Sequence, residues 1–186
     1  MFICVHLWLN PAVRFSPRKL STEQKLYASS LRALMRRAHS IHEMKEYLER
    51  RVEDKELVAP VIARLRELKY LDDARYALDY ASNHAQLRRQ GRFRIARELR
   101  GRGVPDRYIE AALDAVFAET DEATLVRARL KRRLSNIRGP LDERKFASLY
   151  RSLLRAGFSS DVIRDELSAV RRGDFADMQD PTEEQS

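Results

Sequence analysis

Cysteine is nearly absent from this 186-residue chain, because Cys4 is the single thiol and no intramolecular disulfide can form. A chain without disulfides is typical of a reducing compartment, which favours the cytoplasm. The four histidines, at positions 6, 39, 42 and 84, are too scattered to predict a zinc site. Glycine and proline number only six each, which excludes fibrous and low-complexity classes of protein.

Long apolar runs are also lacking, since none approaches the roughly 18–20 residues that a membrane-spanning helix needs. The apolar start, residues 2–9, has no basic segment before it and is followed by Asn10-Pro11, which argues against a signal peptide. We interpret residues 1–20 as an N-terminal extension. It is either disordered or the product of a start codon assigned too far upstream, with the folded chain beginning near Leu20. No membrane contact is expected.

Charge is unevenly distributed along the chain. The 36 basic residues exceed the 28 acidic ones, but residues 174–186 carry five acids and no base and are predicted to form a disordered acidic tail. Residues 1–173 thus hold 36 bases and 23 acids, a formal charge of +13. This basic body favours a polyanionic partner or an acidic protein surface. Solubility and an arginine-rich genome are the alternative explanation, since only seven bases are lysine.

Apolar residues recur at helical spacing along most of the chain, and no stretch alternates as a strand would. The pattern predicts nine helices, the first over residues 27–38. The residues predicted to start helices, as caps or in the first turn, are Ser40 with Glu43, Pro60, Asp72 or Asp73, Thr120 and Ser159. The side chains predicted to face the core include Met35, Leu68, Ala74, Leu78 and Phe93.

Two segments share one pattern at a separation of 54 residues. The first consists of Leu99, Gly103, Val104, Ile109 and Leu113, and the second consists of Leu153, Gly157, Phe158, Ile163 and Leu167. A looser match, 52 residues before the first, consists of Tyr47, Arg51, Val52, Leu57 and Val61. A period near 50 residues predicts an all-α array of three-helix repeats, elongated and curved, over residues 21–69, 70–119 and 120–173. Gly103 and Gly157 are predicted to adopt left-handed turns.

Four stretches carry a resemblance to a known family: residues 33–40, 68–77, 91–104 and 154–159. The most specific is residues 68–77, Leu-Lys-Tyr-Leu-Asp-Asp-Ala-Arg-Tyr-Ala. Together they make residues 27–172 resemble the RecX family, regulatory proteins of the RecA recombinase. Lys69 departs from the pattern, because the family usually has glycine there. The motif residues expected to be structural are Tyr70, Leu71, Asp72, Asp73, Gly103, Gly157 and Phe158.

The repeat pattern predicts an extended monomer, and the lack of a catalytic constellation predicts a non-enzymatic protein without a cofactor. The resemblance implies a cytoplasmic protein active in DNA repair, homologous recombination and the SOS response. It implies binding along the groove of RecA filaments on DNA. Such binding would limit filament growth, ATPase, strand exchange and co-protease activity. Whether single- or double-stranded DNA is bound directly stays open.

Two arginine-rich segments are candidates for partner binding. Residues 86–107 and residues 127–138 each carry a net charge of +6, and the second holds no acid. The planar guanidinium suits phosphate and carboxylate recognition, and the scarcity of aromatics between the arginines argues against base stacking. A solvated surface without a partner is the alternative. The residues predicted to face RecA or DNA are Arg88, Arg89, Arg92, Arg94, Arg97, Arg129, Arg132 and Arg133.

Two other classes of function remain as rivals. Asp72 and Asp73 resemble a catalytic carboxylate pair, but helix capping is the favoured role, because no further catalytic group accompanies them. A helix-turn-helix-like DNA-binding transcription regulator is the second rival, since three-helix units resemble such modules. That rival needs one dominant recognition helix, whereas the positive charge here is spread over two repeats.

Overall fold

The computed structural model describes residues 20–172, so the predictions for Cys4, the N-terminal extension and the acidic tail lie outside the described residues. Residues 20–172 form nine α-helices and no β-strand, apart from a single bridge between Leu20 and Val52. The helices are α1 Glu23–Leu34, α2 Ile41–Glu49, α3 Val58–Glu67, α4 Asp73–Gln86, α5 Arg92–Arg100, α6 Asp106–Glu119, α7 Glu122–Leu134, α8 Glu143–Ala156 and α9 Ser160–Arg172.

The helices pack in three consecutive triads, α1–α3, α4–α6 and α7–α9. The first triad has its own hydrophobic cluster, centred on Leu26, Met44, Leu48 and Leu65. The second and third triads share one larger cluster, which runs from Tyr76 on α4 to Leu167 on α9. The all-α repeat architecture is therefore confirmed, while the predicted domain boundaries stay predictions.

Burial follows the 54-residue repeat. Each member of the pairs Leu99 and Leu153, Val104 and Phe158, Ile109 and Ile163, and Leu113 and Leu167 is buried. Val52 and Val61, from the looser match in the first triad, are buried as well. Equivalent positions are therefore buried in each repeat, as expected when each small unit completes its core against a neighbour.

Most of the predicted helix starts are confirmed. Ser40 and Glu43 form a capping box on α2, and Pro60 lies in the first turn of α3. The Ser159 hydroxyl accepts a hydrogen bond from the amide of Val162 at the start of α9. The prediction for α7 is wrong, because Asp121 and not Thr120 accepts the amide hydrogen bonds there. A carboxylate is the better acceptor at the positive end of a helix.

Several predicted core positions are wrong. Helix α1 ends at Leu34, four residues early, and Met35 is 86% exposed in the turn that follows. Phe93 is 63% exposed and Leu78 is 44% exposed, although both lie within helices. Leu68 and Ala74 are exposed too. Helical periodicity identifies an apolar face but does not show how much of its rim a neighbour covers.

Left-handed residues close the turns after α3, α5 and α8. Gly103 has φ of 71° and Gly157 has φ of 89°, as predicted for glycine. Lys69 has φ of 58°, so this lysine adopts the conformation for which the family uses glycine. In each turn the next residue donates its amide to a carbonyl five residues earlier: Tyr70 to Leu65, Val104 to Leu99, and Phe158 to Leu153.

The two aspartates of the Tyr-Leu-Asp-Asp motif have different structural roles. Asp72 caps α4 by accepting from the amides of Ala74 and Arg75. Asp73 is buried, and its Oδ1 accepts from the amide of Ile41 at 2.9 Å. Burial raises the pKa of Asp73 above its ordinary value. The motif therefore starts one helix and also satisfies the first amide of α2 in the preceding triad.

Candidate functional site

An arginine groove of about 650 Å³ lies between the end of α4 and the face of α7. Arg88 and Arg89 follow α4, while Arg129, Arg132 and Arg133 project from α7. The remaining lining residues are Gln86, Leu87 and Asn136, so no acid lines the arginine groove among residues 20–172. Five of the eight arginines predicted to bind a partner therefore meet in one place.

Local helix chemistry explains why arginines collect here. Arg129, Arg132 and Arg133 are spaced i, i+3 and i+4, which places them on one side of α7. They lie near its C-terminal end, where the helix dipole favours positive charge. Arg88 and Arg89 follow the C-terminal end of α4, and Arg89 adopts a left-handed φ of 49°. Two helix ends that each favour cations thus meet around one cavity.

Arg129 fastens the two sides of the arginine groove together. Its Nη1 donates to the backbone carbonyl of Arg89 at 3.1 Å, beyond the end of α4. Its Nε is buried and has no hydrogen-bond partner among the described residues. Burial, followed by the charges of Arg133, Arg94 and Arg132, lowers the pKa of Arg129. Arg129 is predicted from the sequence to face RecA or DNA, and in the structure it also bridges α7 to the turn after α4.

The other three predicted arginines lie on α5 and do not line the arginine groove. Arg92 forms an ion pair with Asp114 at 2.5 Å, and Arg94 pairs with Glu98 at 2.7 Å. Arg97 is exposed, and no ion pair within residues 20–172 involves it. Ion pairing to a neighbouring acid gives Arg92 and Arg94 a structural partner that helical spacing did not predict. Their role in partner binding stays a prediction.

A second basic groove, of about 390 Å³, adjoins the first and shares Arg133 and Asn136 with it. Its other lining residues are Ile137, Arg138, Lys145, Ser148 and Leu149, again without an acid. Lys145 donates through Nζ to the carbonyls of Arg138 and Pro140, which holds the loop after α7 against α8. Sequence reasoning missed Lys145, because it reaches this surface from a different helix and has no neighbouring base but Arg144.

A polar network around Glu43 was also missed. Glu43 accepts from Arg102 at 2.7 Å and from Arg37 at 3.0 Å, and Tyr76 lies at hydrogen-bond distance. Burial by itself raises the pKa of Glu43, but the hydrogen bonds from Arg37 and the Ser40 amide, with the charge of Arg102, hold it below its ordinary value. The capping box predicted Glu43 at a helix start, but its partners are distant in sequence.

The structure also limits other kinds of site. Within residues 20–172, no three histidine, cysteine, aspartate or glutamate side chains are grouped so as to hold a metal ion. His42 and Glu46 instead lie 3.4 Å apart along one face of α2. None of the helices α1–α9 is both long and apolar enough to cross a membrane.

The amino-acid sequence is similar to those of known proteins. Residues 72–113 match the family model of the second three-helix domain of RecX. The chain is 36% identical over 146 residues to regulatory protein RecX of Halorhodospira halophila, covering 78% of this chain and 88% of that protein. It is 30% identical over 141 residues to regulatory protein RecX of Chlorobaculum tepidum, with coverages of 76% and 85%.

Solved structures share the fold. The crystal structure of RecX from Lactobacillus salivarius matches with a TM-score of 0.67 at 21% identity, covering 81% of this chain and 97% of that chain. A second crystal structure, of a regulatory protein RecX, matches with a TM-score of 0.70 at 23% identity, with coverages of 78% and 73%. The sequence relatives are named regulatory proteins, and the structural neighbours share the helical repeats.

Proposed function

This chain belongs to the RecX family of regulatory proteins, and on that premise we propose that it binds RecA filaments on DNA and limits their growth. Limiting growth would reduce the DNA-dependent ATPase, strand exchange and co-protease activities of RecA. Family membership is the observation that carries this proposal. The predicted cytoplasmic, monomeric state and the absence of an enzymatic reaction belong to the same proposal.

The arginine groove is the surface we propose for contact with DNA phosphates or with acidic side chains of RecA. Arg88, Arg132 and Arg133 support this role, because no acid lies within ion-pair distance of them among residues 20–172. Guanidinium groups without an internal partner are available for charge-assisted hydrogen bonds to an incoming anion. The adjoining second groove extends the same charge along the surface.

The test is the ATPase activity of RecA on single-stranded DNA, with and without this protein. Inhibition at small ratios of protein to RecA is expected if filament ends are blocked, and inhibition near stoichiometry is expected if the filament groove is coated. No effect at any ratio in low salt would contradict the proposed function. Low salt is needed because dissolved ions weaken the attraction between exposed charges, with a screening length of about 10 Å at 0.1 M salt.

Variants of the full chain test the proposed surface. R88Q/R132Q/R133Q removes three guanidinium groups from the arginine groove but keeps Arg129, which fastens α7 to the turn after α4. The matched control, R144Q/R151Q/R155Q, removes the same charge from exposed positions of α8 that line neither groove. Weaker inhibition by the first variant alone is expected, and equal inhibition by both would place the contact elsewhere.

A transcription regulator is the rival function, and DNA selectivity separates the two. A helix-turn-helix regulator prefers one duplex sequence and binds it without RecA. Binding to duplexes of varied sequence, measured across a salt series, therefore decides between them. Contacts with phosphates alone would give affinity that falls steeply with salt and differs little between sequences.

A further inference from the structure

In the sequence, the residues that line the arginine groove precede helix α9 and the acidic tail follows it. The acidic tail, residues 174–186, has five acids and no base. The arginine groove has five arginines in its lining and no acid. We propose that the acidic tail docks in the arginine groove of its own chain and covers it.

The arginine groove lacks counter-charge from the described part of the chain. Arg127 lies on the same helix but is bound by Glu166 in a fork of two hydrogen bonds, both 2.8 Å. Arg129 feels the charges of Arg133, Arg132 and Arg94, and with burial these lower its pKa. Like charges so close repel one another, and an anionic segment placed among them lowers the electrostatic energy.

Helix α9, which the tail follows in the sequence, ends beside the helix that contributes Lys145 to the second groove. Helix α9 ends at Arg172, and the preceding Arg171 donates to Glu143 of α8 at 2.7 Å. The Arg171 guanidinium also lies 4.6 Å from the ring centre of Phe146. Lys145, between those two residues in the first turn of α8, lines the second groove. The end of α9 is therefore anchored to the same helical turn that contributes to the basic track.

The length of the tail limits how far along the surface it can reach. Residues 173–186 extend at most about 46 Å when fully stretched, at roughly 3.3 Å per residue. The second groove and the arginine groove are adjacent and share Arg133 and Asn136 in their linings. A segment that starts near Lys145 can thus follow one groove into the other. The acids at positions 174, 177 and 180 recur every third residue, so an extended tail presents carboxylates throughout its course.

A tail that covers the groove would compete with other polyanions for binding to it. This regulatory consequence rests on the proposed function, because it assumes that the arginine groove contacts DNA or RecA. The contact between tail and groove does not rest on it, and the two are measured separately. A docked tail would lower the affinity for weak, nonspecific anions more than for a partner that binds many sites at once.

Paramagnetic relaxation in the full chain tests the contact directly. Cys4→Ser removes the native thiol, and Ser186→Cys then carries a nitroxide at the end of the tail. At low salt, amide signals of residues 86–90 and 129–136 should lose most of their intensity, while those of α1–α3 should not. The loss should disappear at roughly 1 M salt, where the screening length is about 3 Å.

Two charge variants of the labelled chain decide whether the contact is electrostatic and local. D174N/D177N/D180N/E183Q/E184Q and R88Q/R132Q/R133Q should each abolish the loss of signal, whereas R144Q/R151Q/R155Q should retain it. Signals of the groove that are unaffected at low salt, or a loss that survives neutralisation of the tail, would overturn the proposal. A mixed sample adds a further check, in which one chain carries the nitroxide without ¹⁵N and the other carries ¹⁵N without the nitroxide. Broadening of the groove signals in that sample would show that the tail of a second copy occupies the groove.

Binding of a thymidine oligonucleotide supplies the functional arm. Neutralising the tail should tighten oligonucleotide binding severalfold in the otherwise native chain. In the R88Q/R132Q/R133Q background, the same neutralisation should leave the affinity for the oligonucleotide unchanged. An oligonucleotide that binds without restoring the broadened signals would refute competition at this groove. Failure of RecA inhibition together with intact tail broadening would count against the proposed function and leave the tail contact standing.

Discussion

The two junctions between neighbouring triads are built differently. The polar junction joins α2 to the second triad. Ser40 Oγ donates to the carbonyl of Arg102, and the Ile41 amide donates to Asp73. The Arg102 guanidinium donates to the carboxylate of Glu43. The backbone junction joins α5 to α8, where the amides of Gly91 and Phe93 donate to the carbonyls of Ala156 and Gly157 at 2.8 and 3.0 Å. In both, the start of one middle helix meets the end of the next.

The equivalent contact between repeats is therefore made by side chains at one junction and by the backbone at the other. The backbone junction needs glycine on both sides, because a Cβ on Gly91 would lie 2.3 Å from the Gly157 carbonyl carbon. It also lies within a shared apolar core, whereas the polar junction connects two separate hydrophobic clusters. The polar junction should therefore respond to pH and charge, and the backbone junction to side-chain volume.

The largest effect is expected from Gly157→Val at the backbone junction. The residue has φ of 89°, and a Cβ there would lie 2.3 Å from the Arg94 amide nitrogen. Left-handed strain costs about 1–3 kcal/mol and overpacking about 1–3 kcal/mol, so the free energy of unfolding should fall by roughly 2–6 kcal/mol. Urea unfolding monitored by circular dichroism measures this loss.

Gly103→Val is the matched control for Gly157→Val, with the same left-handed strain. Its added Cβ would lie 2.3 Å from Cγ and 2.5 Å from Cβ of His42, so rotation of the half-exposed imidazole relieves only part of the clash. The loss should therefore exceed the left-handed strain alone, about 1–3 kcal/mol, but stay below that of Gly157→Val, where the added Cβ meets backbone atoms. Equal losses for both glycines would show that the backbone contact adds nothing to the junction.

A smaller effect is expected from Glu43→Gln at the polar junction. The change leaves Arg102 and Arg37 without their shared carboxylate and weakens the capping box of α2. Hydrogen bonds to charged groups contribute about 1.5–3 kcal/mol each at most, so a loss of about 1–3 kcal/mol is expected. Hydrogen exchange should show faster opening of α1–α3 than of α4–α9. Glu46→Gln, on the exposed side of α2, serves as the control, and uniform acceleration in all triads would refute separate cores.

Acid should weaken the polar junction through the same carboxylate. The pKa of Glu43 is lower in the folded chain than its ordinary value, so its stabilising contribution is complete above the unfolded pKa, near 4.3. The contribution is lost as pH falls through the folded pKa. Unfolding free energies between pH 7 and pH 3 should therefore decline less steeply in Glu43→Gln than in the native chain. Parallel pH profiles would contradict this role.

The smallest effect, and a stabilising one, is expected from Lys69→Gly. Lys69 has φ of 58°, where a residue with a Cβ is strained by about 1–2 kcal/mol. The greater freedom of glycine in the unfolded chain offsets about 0.4–1 kcal/mol of that gain. A net rise of about 0.5 kcal/mol in unfolding free energy is expected, with Lys69→Ala unchanged. A decrease would show that the lysine side chain contributes to the turn.

Helical periodicity predicted the fold because the repeat determines both burial and turns. Ile109 and Ile163 are buried, and Gly103 and Gly157 are left-handed, all from spacing alone. Met35 and Phe93 are predicted to face the core because they fall on the apolar face of a helix by spacing. In the structure, neighbouring residues leave most of the surface of both side chains exposed. The cluster of Arg88 with Arg132 could not be predicted, since it depends on how α4 and α7 cross. The sequence left open whether Asp72 or Asp73 caps α4, and it could not predict that Asp73 accepts the Ile41 amide, because that contact depends on the approach of α2.

The head-to-tail order of the middle helices has an evolutionary consequence. At one end of the row, Leu20 pairs with Arg51 and Glu53 just beyond α2, while at the other Asp142 caps α8 by accepting the amide of Lys145. Both ends are thus closed by local groups. A local cap does not exclude a junction, since Ser40 and Glu43 cap α2 and also bond to Arg102 of the second triad. Because each junction joins the start of one middle helix to the end of the next, a duplicated triad would lengthen the row and would not close it into a symmetric pair.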